Sequence, residues 1–181
     1  MKFGMALALI ALSACAVVDS GSAPMAAAGE TLEIYLVRHA EKQSGDDPAL
    51  TEAGQARAER LAEILAGKGL THIHSTPYRR TLATAAPIAE QTGIEVQLYD
   101  ASDLAGFADQ LRAMPGTHLV VGHSNTTPTL AAALGGDPGS GIDEKSEYDR
   151  LYVVRLSPEP PTSSIERFGV RYQAPTLETA D

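Results

Sequence analysis

Arg38 and His39 stand side by side at the end of the apolar run LEIYLV, and a second histidine, His123, ends the apolar run THLVVG. An arginine pair, Arg79–Arg80, follows Pro77 at the start of a helical pattern, and Asp100 closes the stretch IEVQLY. Each of these types has a chemistry. A guanidinium binds an anion through several fixed N–H donors. An imidazole can act as a nucleophile or carry a proton near neutral pH, and a carboxyl group can supply a proton. Brought together, they make an anion site with acid–base groups around it. Arg79 and Arg80 fit that reading on electrostatic grounds, because a cation in the first turn of a helix faces the positive end of its macrodipole unless an anion is bound there. Of the two, Arg79 is the one expected to point into water.

The elements that must position these residues can be read from periodicity. TLEIYLV (31–37) reads as a strand. A helix follows over 51–69, with Thr51 as N-cap and Gly67 as its stop. LTHIHS (70–75) is a short strand. Residues 77–93 form a helix that starts at Pro77 and that Pro87 should kink or divide. Strands over 94–100 and 117–123 bracket a helix over 103–114, which the turn Pro115–Gly116 closes. A helix over 127–136 carries Pro128 near its start. Two last strands, 147–157 and 164–172, are joined by a Pro-rich loop. Strands alternating with helices give a three-layer α/β/α domain with a mostly parallel central sheet, and the last two strands can add an antiparallel edge. Ligands bind such sheets at the carboxyl ends of the strands. There Arg38, His39, Asp100 and His123 would meet, and the helix N-terminus around Thr126 to Pro128 offers free amides to an anion.

Composition narrows the function classes. The 181 residues carry 14 Lys plus Arg against 23 Asp plus Glu, for a net charge of −9. So acidic a chain lacks the basic face that nucleic acid requires, and positive charge used on an anion must be local. Hydrophobic residues make up 44%, enough for a single packed domain. His72 and His74 stand two apart, a spacing that an alternating strand produces without a metal. Ser124 in GHSN lacks the glycine that a Gly-x-Ser-x-Gly nucleophile turn needs, since Thr126 stands there. Glu41 reads as a solvated loop carboxylate, and Tyr148, Tyr152 and Phe168 as core or edge packing.

The amino terminus reads as an export signal, with Lys2 before the apolar run FGMALALIAL, which is too short to span a bilayer. LSAC, ending in Cys15, the only cysteine, resembles the lipobox of bacterial lipoproteins. That resemblance implies a lipid anchor on Cys15 and, with Ala16 following, an outer-membrane position facing the periplasm. An ordinary signal cut after Ala26 to Ala28, which would leave a soluble periplasmic protein, remains open. The divisions expected are a signal peptide over 1–14, a lipidated cysteine and small-residue tether over 15–30, a catalytic domain over 31–173 and a tail over 174–181.

Three motifs in order, LVRHAE, STPYRRTLATA and VVGHSN, resemble the histidine phosphatase superfamily, with its phosphoglycerate mutase-like fold. The likeness runs from about Leu32 to Val154. It implies a metal- and cofactor-independent phosphatase in which His39 is the nucleophile and becomes a phosphohistidine. Arg38, Arg80 and His123 would hold the phosphate, Arg80 rather than Arg79 because Arg-x-x-x-Thr-Ala fits residues 80–85. Asp100 would protonate the leaving group, with Asp103 as its rival. The substrate implied is a phosphorylated small molecule or phosphoprotein. RHAEK lacks the Gly and the Glu-Ser/Thr continuation of the mutases, and their long acid-bearing insertion is absent, which favours a phosphatase over a mutase-like phosphotransferase. A non-catalytic anion-binding module of the same fold is the alternative from another class.

Overall fold

Strand β1 (Leu32–Arg38) is apolar on both faces. Leu32, Ile34 and Leu36 enter one core cluster, Tyr35 and Val37 the other. Alternate side chains of a strand point to opposite faces, so such a strand must be covered on both sides. The computed structural model, which describes residues 32–156 and 160–173, shows that cover. Helices α1 (Glu52–Leu65) and α2 (Arg79–Thr92) bring Leu61, Leu65, Ala85 and Ile88 to one face. Helices α3 (Leu104–Arg112) and α4 (Thr126–Ala133) bring Phe107, Leu111 and Leu130 to the other. The segments expected as export signal, tether and tail, with Cys15, lie outside the described residues, among which no helix is long and apolar enough to cross a membrane.

The sheet has six strands in the order β3-β2-β4-β1-β5-β6, with β2 (His72–Ser75), β3 (Val96–Leu98), β4 (Gly116–Gly122), β5 (Arg150–Arg155) and β6 (Thr162–Arg167). Strands β1 to β4 are mutually parallel, and β5 and β6 add the antiparallel edge. This is the three-layer α/β/α architecture expected from the alternation of elements. Two local expectations are met only in part. Pro87 does not divide its helix: α2 runs unbroken through it, with Thr84, Ala85 and Ile88 buried around the proline. An interior proline costs about 3 kcal/mol through its lost hydrogen bond and the clash of its ring with the preceding turn, which burial of the turns on either side offsets. Strand β3 spans three residues rather than seven; beyond it the Tyr99 amide still donates to the Ser75 carbonyl at 3.1 Å, and the Tyr99 ring stacks on Phe107 at 4.3 Å.

Helix α1 is tied to the loop that follows β1. Thr51 caps it by accepting the Gly54 amide hydrogen, and a Cβ on Gly54 would collide with the Glu41 carbonyl oxygen. A glycine is therefore needed for this close approach. Glu41 itself is no solvated carboxylate. It takes three hydrogen bonds of 2.8–3.0 Å from Arg57, which also donates to the Phe168 and Val170 carbonyls.

Three of the five histidines gather on the α3 side of the sheet. His72 and His118 stack at 4.5 Å and His74 and His118 at 5.4 Å, with His74 edge-on to Phe107. His118 Nε2 lies 2.8 Å from the Met114 carbonyl, which can only accept, so His118 Nδ1 is left to accept from His74 Nε2–H at 3.1 Å. The His118 ring is then neutral. Among the described residues no cluster of three or more His, Cys, Asp or Glu side chains has the spacing to hold a metal. Burial, and less strongly His118 and His72, push His74 down from 6.5 to about 4. Between those values the unfolded chain binds a proton that the native ring does not, so stability falls as pH drops from 6.5 towards 4, by roughly 3 kcal/mol for this ring. His74→Leu cannot charge. It should cost about 1–3 kcal/mol at pH 7.5 by leaving His118 Nδ1 without its donor, and its deficit against the wild type should shrink as the pH is lowered. Urea unfolding across that range checks this, and a constant gap would count against it.

Candidate active site

Strands β1 and β4 are neighbours, and the register sets Arg38 opposite Gly122. The His39 amide donates to the Gly122 carbonyl at 2.9 Å, and His123 is the next residue. The two imidazoles therefore leave the sheet together at its carboxyl end, with centroids 5.6 Å apart at 67°. They share a cavity of about 590 Å³ with Arg80 and Tyr78 from the start of α2, Ser102 beyond β3, and Lys42 and Glu144 from loops.

His39 is 3% exposed. Its Nδ1 lies 2.8 Å from the Ala40 carbonyl. A carbonyl only accepts, so Nδ1 carries the hydrogen and Nε2 keeps the lone pair. Burial pushes the ring down from 6.5 to about 3, the Ala40 carbonyl works against this, and Arg38, His123 and Arg80 add to it. Two neighbouring guanidiniums would by themselves disfavour a third positive charge on this ring. They contribute, but burial is the larger cause.

Arg38 is also 3% exposed, but its fork is largely occupied. Nη1–H donates to the Asp143 and Glu147 carbonyls at 3.0 and 2.9 Å, Nη2–H to the Glu144 carbonyl at 2.6 Å, and the guanidinium lies 4.1 Å from the Tyr148 ring centroid. Nε is buried without a partner among the described residues and one Nη2–H is also left over, so two of the five Arg38 donors remain for an anion. Arg80 Nε is orphaned in the same way. Its Nη1 is 3.5 Å from Asp47 and its guanidinium stacks on Tyr78 at 4.4 Å. Asp47 also accepts the Arg79 amide hydrogen at 2.9 Å, so it satisfies the helix start that the sequence left unpartnered, and the Arg79 side chain is exposed.

His123 has a fixed tautomer. Arg80 Nη2 approaches Nδ1 at 3.5 Å and can only donate, so Nε2–H donates to Thr76 Oγ1 at 3.0 Å. Thr76 Oγ1 is 2.9 Å from Thr81 Oγ1, whose hydroxyl has the Thr76 and Tyr78 carbonyls within 2.9 Å. The His123 amide donates to Thr126 Oγ1 at the start of α4. Burial, then Arg80 and Arg38, lower His123 from 6.5 to about 4.

Asp100 is not brought to this cavity. Tyr99 turns in and Asp100 therefore turns out. It lines an adjoining hollow of about 550 Å³ with Leu98 and Pro77. Hydrogen bonds from the Ser102 amide and hydroxyl hold its carboxyl below the usual range, the wrong direction for a proton donor. Asp103 is no better placed, since it caps α3 by accepting the Gly106 amide hydrogen at 2.9 Å. Lys42, Asp47, Tyr148 and Glu144 are the site residues that sequence reasoning missed. Lys42 directly follows the first motif, LVRHAE, and had that position as its signal. Glu144 had none, because contacts to Arg38 from 106 residues away place it.

The histidine phosphatase superfamily (branch 1) family model matches residues 34–102. Phosphoserine phosphatase 1 of Hydrogenobacter thermophilus is 38% identical over 73 residues, 36% of this chain and 35% of that one. "Probable phosphoglycerate mutase GpmB" of Photorhabdus laumondii is 36% identical over 138 residues, 67% of this chain and 59% of its own length. The matches thus span from about a third to 59% of those relatives. A mycobacterial glucosyl-3-phosphoglycerate phosphatase, solved with VO3, superposes with a TM-score of 0.57 at 16% identity, over 77% of this chain and 99% of that one, and shares its fold. With its motif histidines and arginines gathered at the carboxyl ends of β1 and β4, this chain belongs to the histidine phosphatase superfamily.

Proposed function

We propose that the chain is a phosphatase that hydrolyses a phosphomonoester through a phosphohistidine on His39, without a metal. One observation carries this. A neutral imidazole with its lone pair on Nε2 adjoins the buried guanidinium of Arg38 and the half-buried one of Arg80, whose buried Nε–H donors have no partner among the described residues. Buried donors left unsatisfied are costly, and a tetrahedral anion beside His39 would satisfy both. Phosphoryl transfer asks for little more than such positioning and charge stabilisation on the equatorial oxygens. Arg38 would give its remaining donors from beneath, Arg80 its Nε and the edge of its fork, and His123 a proton on Nδ1 once an anion is bound beside it. On the export signal read from the sequence, the phosphorylated small molecule or phosphoprotein would be met in the cell envelope, with Cys15 as the anchor.

The relatives include both a phosphatase and phosphoglycerate mutases, and it is the missing acid-bearing insertion of the mutases that favours hydrolysis over transfer. The test is turnover of para-nitrophenyl phosphate by the full chain, with an alkaline detergent quench after mixing with labelled ester. Turnover with acid-labile, base-stable label on the protein is the expected result. Turnover with no such label would point to direct attack by water, and binding of inorganic phosphate with no turnover to an anion-binding module.

A further inference from the structure

We infer that Glu144 is the general acid of this site, an assignment that rests on the phosphatase reading above. It is the one carboxylate, among the described residues, that lines the cavity holding His39, Arg80 and His123. It also lines the adjoining hollow that opens past Lys42 and Tyr148, so it stands on the shared rim of the two. Its backbone is fixed from the reaction centre itself, since Arg38, the residue before the nucleophile, donates Nη2–H to the Glu144 carbonyl at 2.6 Å and Nη1–H to the carbonyls of Asp143 and Glu147. The turn is closed by the Lys145 amide donating to Asp143 Oδ1 and by the Asp143 amide donating to Glu147 Oε2. An acid held on such a frame moves with the phosphate site and not with a separate loop.

The other carboxylates near the site are committed. Asp100 is bound by Ser102 and Asp103 caps α3. Glu41 is bound by Arg57, and Asp47 by the Arg79 amide and Arg80. The Glu144 carboxylate makes no hydrogen bond or ion pair with the described residues, and only its main chain is anchored.

The chemistry balances with Glu144 alone. In the first step the Nε2 lone pair of His39 forms the N–P bond and the bond from phosphorus to the ester oxygen breaks. The departing oxygen keeps that electron pair and takes the proton of the Glu144 carboxylic acid. In the second step a water oxygen forms its bond to phosphorus while the N–P pair returns to Nε2. The water proton passes to the Glu144 carboxylate, which restores the acid for the next turnover.

The experiment compares glycerol phosphate, whose leaving alkoxide is strongly basic, with para-nitrophenyl phosphate, whose leaving group needs little protonation. Glu144→Gln should slow the first by about 10²-fold or more and the phosphorylation of His39 by the second by no more than a few-fold. Asp100→Asn should alter neither. Glu144 is exposed, so both variants should unfold at the wild-type urea midpoint. Equal losses on the two esters would make Glu144 a binding or shaping residue, and no loss on the alkyl ester would remove it from the reaction; either overturns the assignment. A wild type that turns over neither ester and traps no phosphate overturns the phosphatase reading itself, and the assignment with it.

Discussion

His39→Ala should lower turnover of para-nitrophenyl phosphate by on the order of 10⁴-fold or more and abolish acid-labile labelling of the protein. The size follows from what the ring alone supplies. Arg38, Arg80 and His123 would still bind the anion in the variant, so binding of inorganic phosphate should survive while chemistry stops. The fold should survive as well. His39 is buried, but it is held neutral, and its one side-chain hydrogen bond runs to the carbonyl of the next residue. Truncation leaves that carbonyl without a partner and opens space into an existing cavity, a cost of about 1–3 kcal/mol. Part of this is returned at low pH, where the native ring resists the proton that the unfolded chain accepts below 6.5. Circular dichroism, phosphate binding and labelling on one preparation separate these effects. Residual turnover within about tenfold of the wild type would remove His39 from the nucleophile's role.

Much of this site was legible because its residues sit where elements end. Arg38 and His39 close one apolar run and His123 another, and the alternation of strands and helices sets the ends of parallel strands at one edge of the sheet. The pairing of β1 with β4 then needs only that edge to become a contact. Arg80 could be preferred to Arg79 because one motif spacing suits it. What sequence could not supply was the occupancy of each donor. The fork of Arg38 is spent on three carbonyls more than a hundred residues away, and nothing in Asp143–Glu147 announces this. Asp100 misled for a related reason. Side chains alternate along an extended segment, and burial of Tyr99 against Phe107 puts Leu98 and Asp100 on the exposed side, a facing decided by a contact outside the strand. The continuity of α2 through Pro87 was likewise decided by tertiary burial, which local propensity does not see.

Glu147→Gln should be the most destabilising single change near the site, at roughly 3–5 kcal/mol, the usual cost of removing one partner from a buried ion pair. Glu147 is 2% exposed. Its Oε1 accepts from Arg150 Nε at 2.6 Å and Arg167 Nη1 at 2.7 Å, and its Oε2 from Arg150 Nη2 at 3.0 Å and the Asp143 amide at 2.9 Å. Asp149 completes a set of two cations and two carboxylates through Arg167. Glutamine keeps the shape but removes the charge and turns an NH₂ towards groups that can only donate. Arg150, itself buried, is then uncompensated, and the Asp143 amide competes for one remaining acceptor. That amide closes the turn whose carbonyls hold Arg38, so phosphate affinity should fall together with stability although Glu147 touches no ligand. The pH dependence identifies the cause. Burial pushes the Glu147 carboxyl up, but the hydrogen bonds from Arg150, the Asp143 amide and Arg167 outweigh it and hold the group below the ordinary glutamate range. A carboxyl depressed on folding stabilises the native state above its unfolded pKa and loses that contribution as pH falls through its folded pKa. The gap between wild type and Glu147→Gln should therefore be full and constant near neutral pH and close only below the ordinary glutamate range. Urea unfolding of both proteins at neutral pH and at successively more acid values reads it directly. A gap below about 1 kcal/mol at neutral pH would mean that the two arginines find other partners when the carboxylate is lost. A gap indifferent to pH would mean that the loss is one of packing and not of charge.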